Sequence, residues 1–127
     1  MSEYKLFFDS NIWLRYFLPS DDKIGTLVDS SRGRILTSIL SFHEVVKRLR
    51  KLKYTEAAVN EAIRFMRESS LVVGVNDEIV IDSIEWCLAN ELHTVDSMLY
   101  QSARASDAVF LTFDNDFRGL PHVEILK

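Results

Sequence analysis

The stretch YKLFFDSN, residues 4–11, decides the fold. Its first five residues form an aromatic and apolar run, which predicts a short β-strand. The run stops at Asp9, Ser10 and Asn11, and these residue types favour helix caps and turns. A helix then follows until Pro19, which cannot continue it. The stretch therefore predicts a strand that passes directly into a helix, with a carboxylate at the junction.

Short apolar runs and helical patterns alternate along the rest of the chain. Strands are predicted at 35–36, 71–73, 108–112 and 123–126. Helices are predicted over about 20–31, 38–53 and 76–90, after Thr55 and after Thr94. Short strands that alternate with such helices indicate a mainly parallel sheet covered on both faces, which is a three-layer α/β/α sandwich.

Three details of this prediction depend on local patterns. The stripe of Val80, Ile84 and Leu88 is expected to face the core from the helix over 76–90. Residues 71–73 are expected to form a buried strand. Thr94 is expected to cap the last helix.

Length and composition limit the class of protein. The chain has 127 residues, 47% of them hydrophobic and 27% charged, which predicts one globular domain over residues 1–127. Cys87 is the single cysteine, so no intrachain disulfide is expected. The longest apolar runs have four residues, too few for a membrane span, and no signal-peptide pattern is present. The sequence therefore predicts a cytoplasmic protein without a membrane segment.

Acidic residues are expected to meet at the carboxyl edge of the sheet, where open α/β sheets bind ligands. Asp9 and Asp114 follow two predicted strands, and Glu44 and Asp96 lie near two helix starts. Alone, Asp114 and Asp116 are ordinary turn residues, and Asp96 is an ordinary acid of a first helical turn. Their combination in this fold favours one acidic site.

Two of these acids also have structural explanations. Asp9 can cap the helix that begins at Ser10. Glu44 can form a capping box with Ser41 or an exposed ion pair with Arg48. The sequence alone leaves both explanations open.

An acidic site of this kind requires a cation. Two like charges 4 Å apart repel by about 4 kcal/mol at an effective dielectric constant of 20, so four carboxylates would partly protonate without a divalent ion. Oxygen ligands without His or Cys indicate Mg²⁺ or Mn²⁺ rather than Zn²⁺, and such ions recruit phosphate oxygens. The chemistry that fits is metal-assisted phosphodiester hydrolysis.

Charge is distributed unevenly along the chain. The net charge of −4 argues against binding nucleic acid through bulk charge. Residues 47–53, KRLRKLK, nevertheless hold five positive charges and no negative one. On a helix, three of these cations share a face with Glu44: Lys47, Arg48 and Lys51. We expect this face to bind RNA, and a solvated basic face without a partner is the alternative.

Other chemistries have weaker support. The chain has no glycine-rich phosphate loop, no GxSxG motif and no HExxH motif. Its three histidines, at 43, 93 and 122, show no ligand spacing, so we expect surface or packing roles for them. A phosphatase that uses Asp9 as a nucleophile is a further alternative, although Asn11 stands where the DxD arrangement of such enzymes has its second acid.

Four segments resemble, in order and spacing, the motif regions of PIN-domain ribonucleases. They are FFDSNIWLRYF at 7–17, TSILSFHEVVKRL at 37–49, HTVDSMLYQSA at 93–103 and LTFDNDF at 111–117. The resemblance covers nearly the whole chain, and it implies a PIN-like fold.

The resemblance also implies roles for individual residues. The acidic quartet that holds Mg²⁺ or Mn²⁺ in the family is matched by Asp9, Glu44, Asp96 and Asp114. Asp116 matches a position that contributes to the metal site through a water, and Thr112 and Asn11 match supporting polar positions. Phe113 departs from the pattern, because many relatives carry a basic residue there.

The small single-domain members of that family are VapC-type toxins of toxin–antitoxin pairs. The resemblance therefore implies a metal-dependent endoribonuclease with an RNA substrate, a cognate small antitoxin as its partner, and a homodimer. A PIN-like module that binds RNA or protein without catalysis is the alternative. The presence of all four acids argues against it.

Overall fold

The structure is a computed structural model that describes residues 5–19 and 22–127. The predicted strand start at Tyr4 and the predicted helix start at Ser20 lie outside the described residues. Five strands are described: β1 (Leu6–Phe8), β2 (Ile35–Ser38), β3 (Leu71–Val73), β4 (Val109–Thr112) and β5 (Val123–Ile125).

The described helices agree closely with the predicted ones in the first half of the chain. They are α1 (Ser10–Phe17), α2 (Asp22–Ser30), α3 (Ile39–Lys51), α4 (Glu56–Ser69), α5 (Asp77–Asp82), α6 (Ile84–Asn90) and α7 (Thr94–Ala105), with a 3₁₀ turn at Asn115–Phe117. Thr55 caps α4 as predicted, since its hydroxyl accepts a 3.1 Å hydrogen bond from the Ala58 amide.

The strands form one sheet in the order β3-β2-β1-β4-β5, and every described pair is parallel. The chain moves outward from β1 to β2 and β3 in one direction, and then returns to place β4 on the other side of β1. The strand order therefore reverses between β1 and β4. In open α/β sheets this switch point is the usual place for a ligand site.

Helices cover both faces of the sheet, because successive strand residues point to opposite sides. Phe8 packs into a core shared with α1, α2, α3 and α4, whereas Phe7 packs against α7 on the other face. Leu111 and Phe110 of β4 alternate in the same way. The predicted three-layer α/β/α sandwich is confirmed. None of the helices within the described residues is long and apolar enough to cross a membrane.

The second half of the chain departs from the prediction in three places. The helix predicted over 76–90 is divided at Ser83 into α5 and α6, and the predicted core stripe is exposed along its whole length, at Val80 (40%), Ile84 (51%) and Leu88 (77%). Leu71 is 67% exposed because β3 is an edge strand. Thr94 is the first residue of α7 rather than its cap, which is His93.

Candidate functional site

Asp9 lies at the carboxyl end of β1, at the switch point of the sheet. Its amide donates a 3.0 Å hydrogen bond to the Leu111 carbonyl of β4, which extends the pairing of the two strands by one residue. Its side chain is buried, and Oδ1 accepts a 2.7 Å hydrogen bond from the Ser10 amide. Asp9 therefore caps α1 and also presents a carboxylate to the site, so the two explanations of this residue are compatible.

The Thr112 hydroxyl connects the ends of β1 and β4. It donates a 2.7 Å hydrogen bond to Oδ2 of Asp9 and accepts a 3.0 Å hydrogen bond from the Asp114 amide. The Asn11 amide nitrogen approaches the same hydroxyl at 3.4 Å. Thr112 thus fixes the orientation of one acid and the backbone of another.

The segment after β4 turns sharply because the Asp114 side chain caps it. Oδ1 of Asp114 accepts a 2.9 Å hydrogen bond from the Asp116 amide, at the start of the 3₁₀ turn. Asp114 is half-buried and Asp116 is exposed. The turn role predicted for these residues is present, and it leaves the second oxygen of Asp114 outside this bond.

Electrostatic coupling links Asp9 to acids from two other elements. Burial raises the pKa of Asp9 from 3.8 to about 7, the hydrogen bond from Thr112 opposes this rise, and the charges of Asp96 and Glu44 add to it. The coupling shows that acids from α7 and α3 approach the end of β1. The structure therefore brings the three residues to one region of the molecule.

Asp96 is the second acid with a strongly altered affinity for protons. Burial raises its pKa from 3.8 to about 6, and the charges of Asp114, Glu44 and Asp116 add to the rise. The nearby His93 lowers the pKa of Asp96. All five acids proposed from the sequence therefore belong to one coupled cluster, which we call the acidic cluster: Asp9, Glu44, Asp96, Asp114 and Asp116.

The structural explanations of Glu44 fail. The cap of α3 is Ser38, whose hydroxyl accepts a 3.0 Å hydrogen bond from the Leu40 amide, so Ser41 forms no capping box with Glu44. Ser41 instead accepts a 3.0 Å hydrogen bond from the Ser10 hydroxyl and ties α3 to α1. The described residues also contain no ion pair between Glu44 and Arg48. Glu44 is thus an exposed acid directed toward the cluster.

A groove of about 490 Å³ begins at Glu44 and follows the basic face of α3. The cations predicted to bind RNA line it together with Glu44: Lys47, Arg48 and Lys51. Apolar side chains from three helices complete the lining: Leu14, Leu40 and Val95. The volume lies within the range of small ligand sites, and the lining combines positive charge with an apolar floor.

The acidic cluster fits a hydrated hard dication better than a fully protein-coordinated one. Within residues 5–19 and 22–127, no three His, Cys, Asp or Glu side chains are placed to hold one metal ion directly. Mg²⁺ usually keeps several waters and binds through one or two carboxylates. Burial is the main reason for the raised pKa values of Asp9 and Asp96, and the charges of the neighbouring acids add to it. A hydrated dication would favour the ionised form of these carboxyl groups.

Three features of the site were not predicted from the sequence pattern. His93 occupies the N-cap position of α7 without a capping hydrogen bond from its side chain, and it lowers the pKa of Asp96. Its position three residues before that acid was a usable signal. His43 lines the groove beside Glu44. The apolar floor of the groove carries no sequence signal, because it is assembled from helices that are distant in the chain.

Fold and site together define a class: an α/β sandwich whose carboxylates are grouped at the switch point of a parallel sheet. The family model of the PIN domain matches residues 6–123. The chain belongs to the PIN domain family, and the resemblance noted in the four sequence segments is confirmed.

Several solved structures share this fold. A toxin–antitoxin complex from Klebsiella pneumoniae has a TM-score of 0.80 at 17% identity, over 94% of this chain and 96% of that one. VapC20 of Mycobacterium tuberculosis, a sarcin–ricin loop cleaving toxin, has a TM-score of 0.77 at 18% identity, over 95% and 98%. VapBC2 from Rickettsia felis, bound to a DNA fragment from its promoter, has a TM-score of 0.78 at 14% identity, over 95% and 96%. No curated protein sequence matches the chain.

Proposed function

We propose that this chain is a Mg²⁺- or Mn²⁺-dependent endoribonuclease and the toxin of a toxin–antitoxin pair. The observation that carries the proposal is the coupling of Asp9, Asp96 and Asp114 at the switch point of the sheet, beside a cation-lined groove. Membership of the PIN domain family and the fold shared with VapC20, a toxin that cleaves the sarcin–ricin loop, support it. An acidic centre next to a basic groove suits cleavage of a polyanion.

Within this proposal each acid has a separate task. Asp9, Asp96 and Asp114 would hold a metal ion directly or through waters, and Asp116 would contribute through a water. Glu44 completes the site or orients the attacking water from the groove side. Mg²⁺ or Mn²⁺ held by these residues would supply an acidified water and stabilisation of negative charge for phosphodiester hydrolysis.

The remaining polar residues orient the acids. Thr112 fixes Asp9 by its 2.7 Å hydrogen bond, and Asn11 lies beside both Thr112 and the Phe113 amide. Lys47, Arg48 and Lys51 bind backbone phosphates along the groove. Phosphate contacts of this kind position the strand without reading its sequence.

We also propose a cognate small antitoxin as partner, since structural neighbours of this chain were solved as toxin–antitoxin complexes. Co-expression with the antitoxin should relieve growth arrest caused by this chain and should inhibit RNA cleavage by the purified protein. A stable complex that leaves cleavage unchanged would contradict the antitoxin role. The homodimer stays a prediction, which light scattering on the purified protein checks.

Substitution of the acids tests the proposed reaction. Asp9→Asn and Asp96→Asn should each abolish Mn²⁺-dependent cleavage of total RNA while the circular dichroism spectrum keeps its helical signal. Asp82→Asn removes an exposed acid at the end of α5, away from the cluster, and serves as the matched control. Unchanged cleavage by Asp96→Asn would remove this residue from the mechanism.

The alternative module without catalysis predicts a different result for the same preparations. Wild-type protein would then bind RNA with or without Mn²⁺ and would cleave none. Sequencing of RNA 5′ ends after expression of the wild type and of Asp9→Asn in cells distinguishes the two, because only a nuclease creates new ends that depend on Asp9. The same experiment identifies the RNA that is cut.

A further inference from the structure

The groove beside the acidic cluster changes in chemistry along α3. The α3 residues that line it are spaced three or four positions apart, so they form one stripe along the helix. In chain order they are Leu40, His43, Glu44, Lys47, Arg48 and Lys51. The stripe begins at the carboxyl edge of the sheet, because α3 follows β2 directly. Lys47 lies seven residues beyond Leu40, about 10 Å further along the helix axis. The three cations therefore lie in the part of the stripe further from the sheet edge.

The part of the groove nearest the acidic cluster contains an exposed apolar side chain. Val95 of α7 lines the groove and directly precedes Asp96 in the chain. Its side chain is 48% exposed, although valine is apolar. Glu44 lines the same groove, and its charge acts on Asp96. Val95 therefore offers an apolar surface beside two members of the cluster.

His43 adds the single aromatic ring of the groove lining. It is exposed and lies three residues after Leu40, so the two residues share a face of α3. We call Leu40, His43 and Val95 the apolar end of the groove. It differs from the basic end because it has no lysine or arginine.

This division matches the chemistry of a nucleotide. A nucleobase has two apolar faces, whereas the phosphates that follow it along the strand are charged. RNA-binding proteins place unpaired bases against aromatic side chains, histidine included, and place phosphates on lysine and arginine. The groove volume of about 490 Å³ lies within the range of small ligand sites. Charge and apolar surface are therefore arranged to receive base and backbone at different ends.

We propose that the apolar end of the groove binds the base of a nucleotide next to the scissile bond, while the α3 cations bind phosphates further along the same strand. The inference rests on the proposed nuclease function and adds a base contact to its phosphate contacts. A base held on Val95 lies beside Asp96, so the neighbouring phosphodiester is brought to the acidic cluster. Val95, Leu40 and His43 are thus substrate-binding residues.

The test compares two RNA oligonucleotides of equal length, one intact and single-stranded and one in which every base is absent. Both carry the same number of phosphates. Binding is measured in the Asp9→Asn background with a chelator present, so that cleavage does not affect the result. The Asp9→Asn protein should bind the intact oligonucleotide more tightly. Adding Val95→Ala should weaken that binding roughly three- to tenfold, because part of the apolar surface covered by the base is lost. Binding of the abasic oligonucleotide should not change.

Two further variants separate a base contact from other effects. His43→Phe keeps a ring without its N–H groups and should retain the preference for intact RNA, whereas His43→Ala should lose part of it. Val95→Ala should leave the slope of log affinity against log salt unchanged for both oligonucleotides, because it removes no phosphate contact. Ile81→Ala is the matched control, since Ile81 is an apolar residue of α5 that is 62% exposed and does not line the groove. It should bind both oligonucleotides as the parent protein does.

Three outcomes would overturn the base site. Val95→Ala could weaken binding of intact and abasic RNA equally, which would indicate a backbone contact or a general change of the fold. It could leave both affinities unchanged. It could weaken only the complex with the antitoxin, and the apolar end would then hold a protein segment instead of a base. Failure of the nuclease function is seen separately, as wild-type protein that cleaves no RNA in Mn²⁺, because the base contact is measured on binding alone.

Discussion

The Thr112 hydroxyl is 2.7 Å from Oδ2 of Asp9, although 102 residues separate them in the chain. The parallel register that pairs Phe8 with Leu111 places the next residue of each strand side by side at the edge of the sheet. A hydroxyl group can donate one hydrogen bond, and the Thr112 hydroxyl donates it to Asp9. Its lone pairs remain available to the Asp114 amide at 3.0 Å. One hydroxyl therefore couples the two strand ends that form the switch point.

Thr112→Val tests this relationship because valine has nearly the same shape without the hydroxyl. The substitution removes the donor to Asp9 and the acceptor for the Asp114 amide, so we expect a loss of stability of about 1–3 kcal/mol. Cleavage should fall roughly 10- to 100-fold, since the acid loses the group that orients it. Urea denaturation and single-turnover cleavage measure the two effects. Thr112→Ser keeps the hydroxyl and should retain most of the activity. Equal activity of the Val and Ser variants would contradict the orienting role.

The buried carboxyl of Asp9 makes stability depend on pH in a stated direction. Its pKa is 3.8 when unfolded and about 7 in the folded protein, so between these values the folded form holds the proton more tightly. The free energy of unfolding in metal-free buffer should therefore decrease as the pH rises from about 4 through 7. The shift in the pKa of Asp9 corresponds to a decrease in the free energy of unfolding of at most roughly 4 kcal/mol over this pH range.

Asp9→Asn removes the ionisable group, so the free energy of unfolding should decrease much less as the pH rises. The variant should therefore melt at a higher temperature than the wild type at pH 8. Asp82→Asn, which changes an exposed acid, should follow the wild-type curve. Melting temperatures recorded at several pH values in the presence of a chelator test this. A wild-type protein whose stability increases from pH 5 to pH 8 would show that Asp9 ionises readily in the fold.

Divalent ions should reverse the loss of stability at high pH. At pH 8 the ionised acidic cluster repels itself, and Mg²⁺ or Mn²⁺ binding to the folded form alone would add about 2.7 kcal/mol at a concentration 100 times Kd. We expect the melting temperature of the wild type to rise by several degrees. The rise should be much smaller for Asp96→Asn and unchanged for Asp82→Asn. An equal rise in all three proteins would indicate binding outside the cluster.

The sequence was sufficient for the parts of the site that depend on strand ends. Asp9 and Asp114 each follow an apolar run, and parallel strands bring their carboxyl ends to one edge, so the two acids could be placed together without coordinates. Glu44 and Asp96 were grouped with them only from their positions near helix starts, which is a weaker signal because a helix start alone does not say where a helix is directed. The coupling of both acids to Asp9 agrees with that placement.

What the sequence did not reveal depends on how helices turn against their neighbours. Ser83 divides the helix predicted over 76–90, and the apolar residues Ile84 and Leu88 are exposed instead of facing the core. The contact of Arg15 with Phe113 likewise depends on the rotation of α1 over the end of β4. Hydrophobic periodicity reports which residues share a face, but it does not report which partner that face meets.

The basic run of α3 permits a last test with a control inside the same run. Arg48 and Lys51 line the groove that begins at Glu44, whereas Arg50 lines a different cavity with Tyr54. Arg48→Ala and Lys51→Ala should each weaken RNA binding at low salt and reduce the salt slope by about one, because each removes one phosphate contact. Arg50→Ala removes an equal charge and should leave the slope unchanged. Filter binding at several salt concentrations measures all three. Three equal slopes would mean that the run acts through its total charge, and the groove would then have no special role in holding the strand.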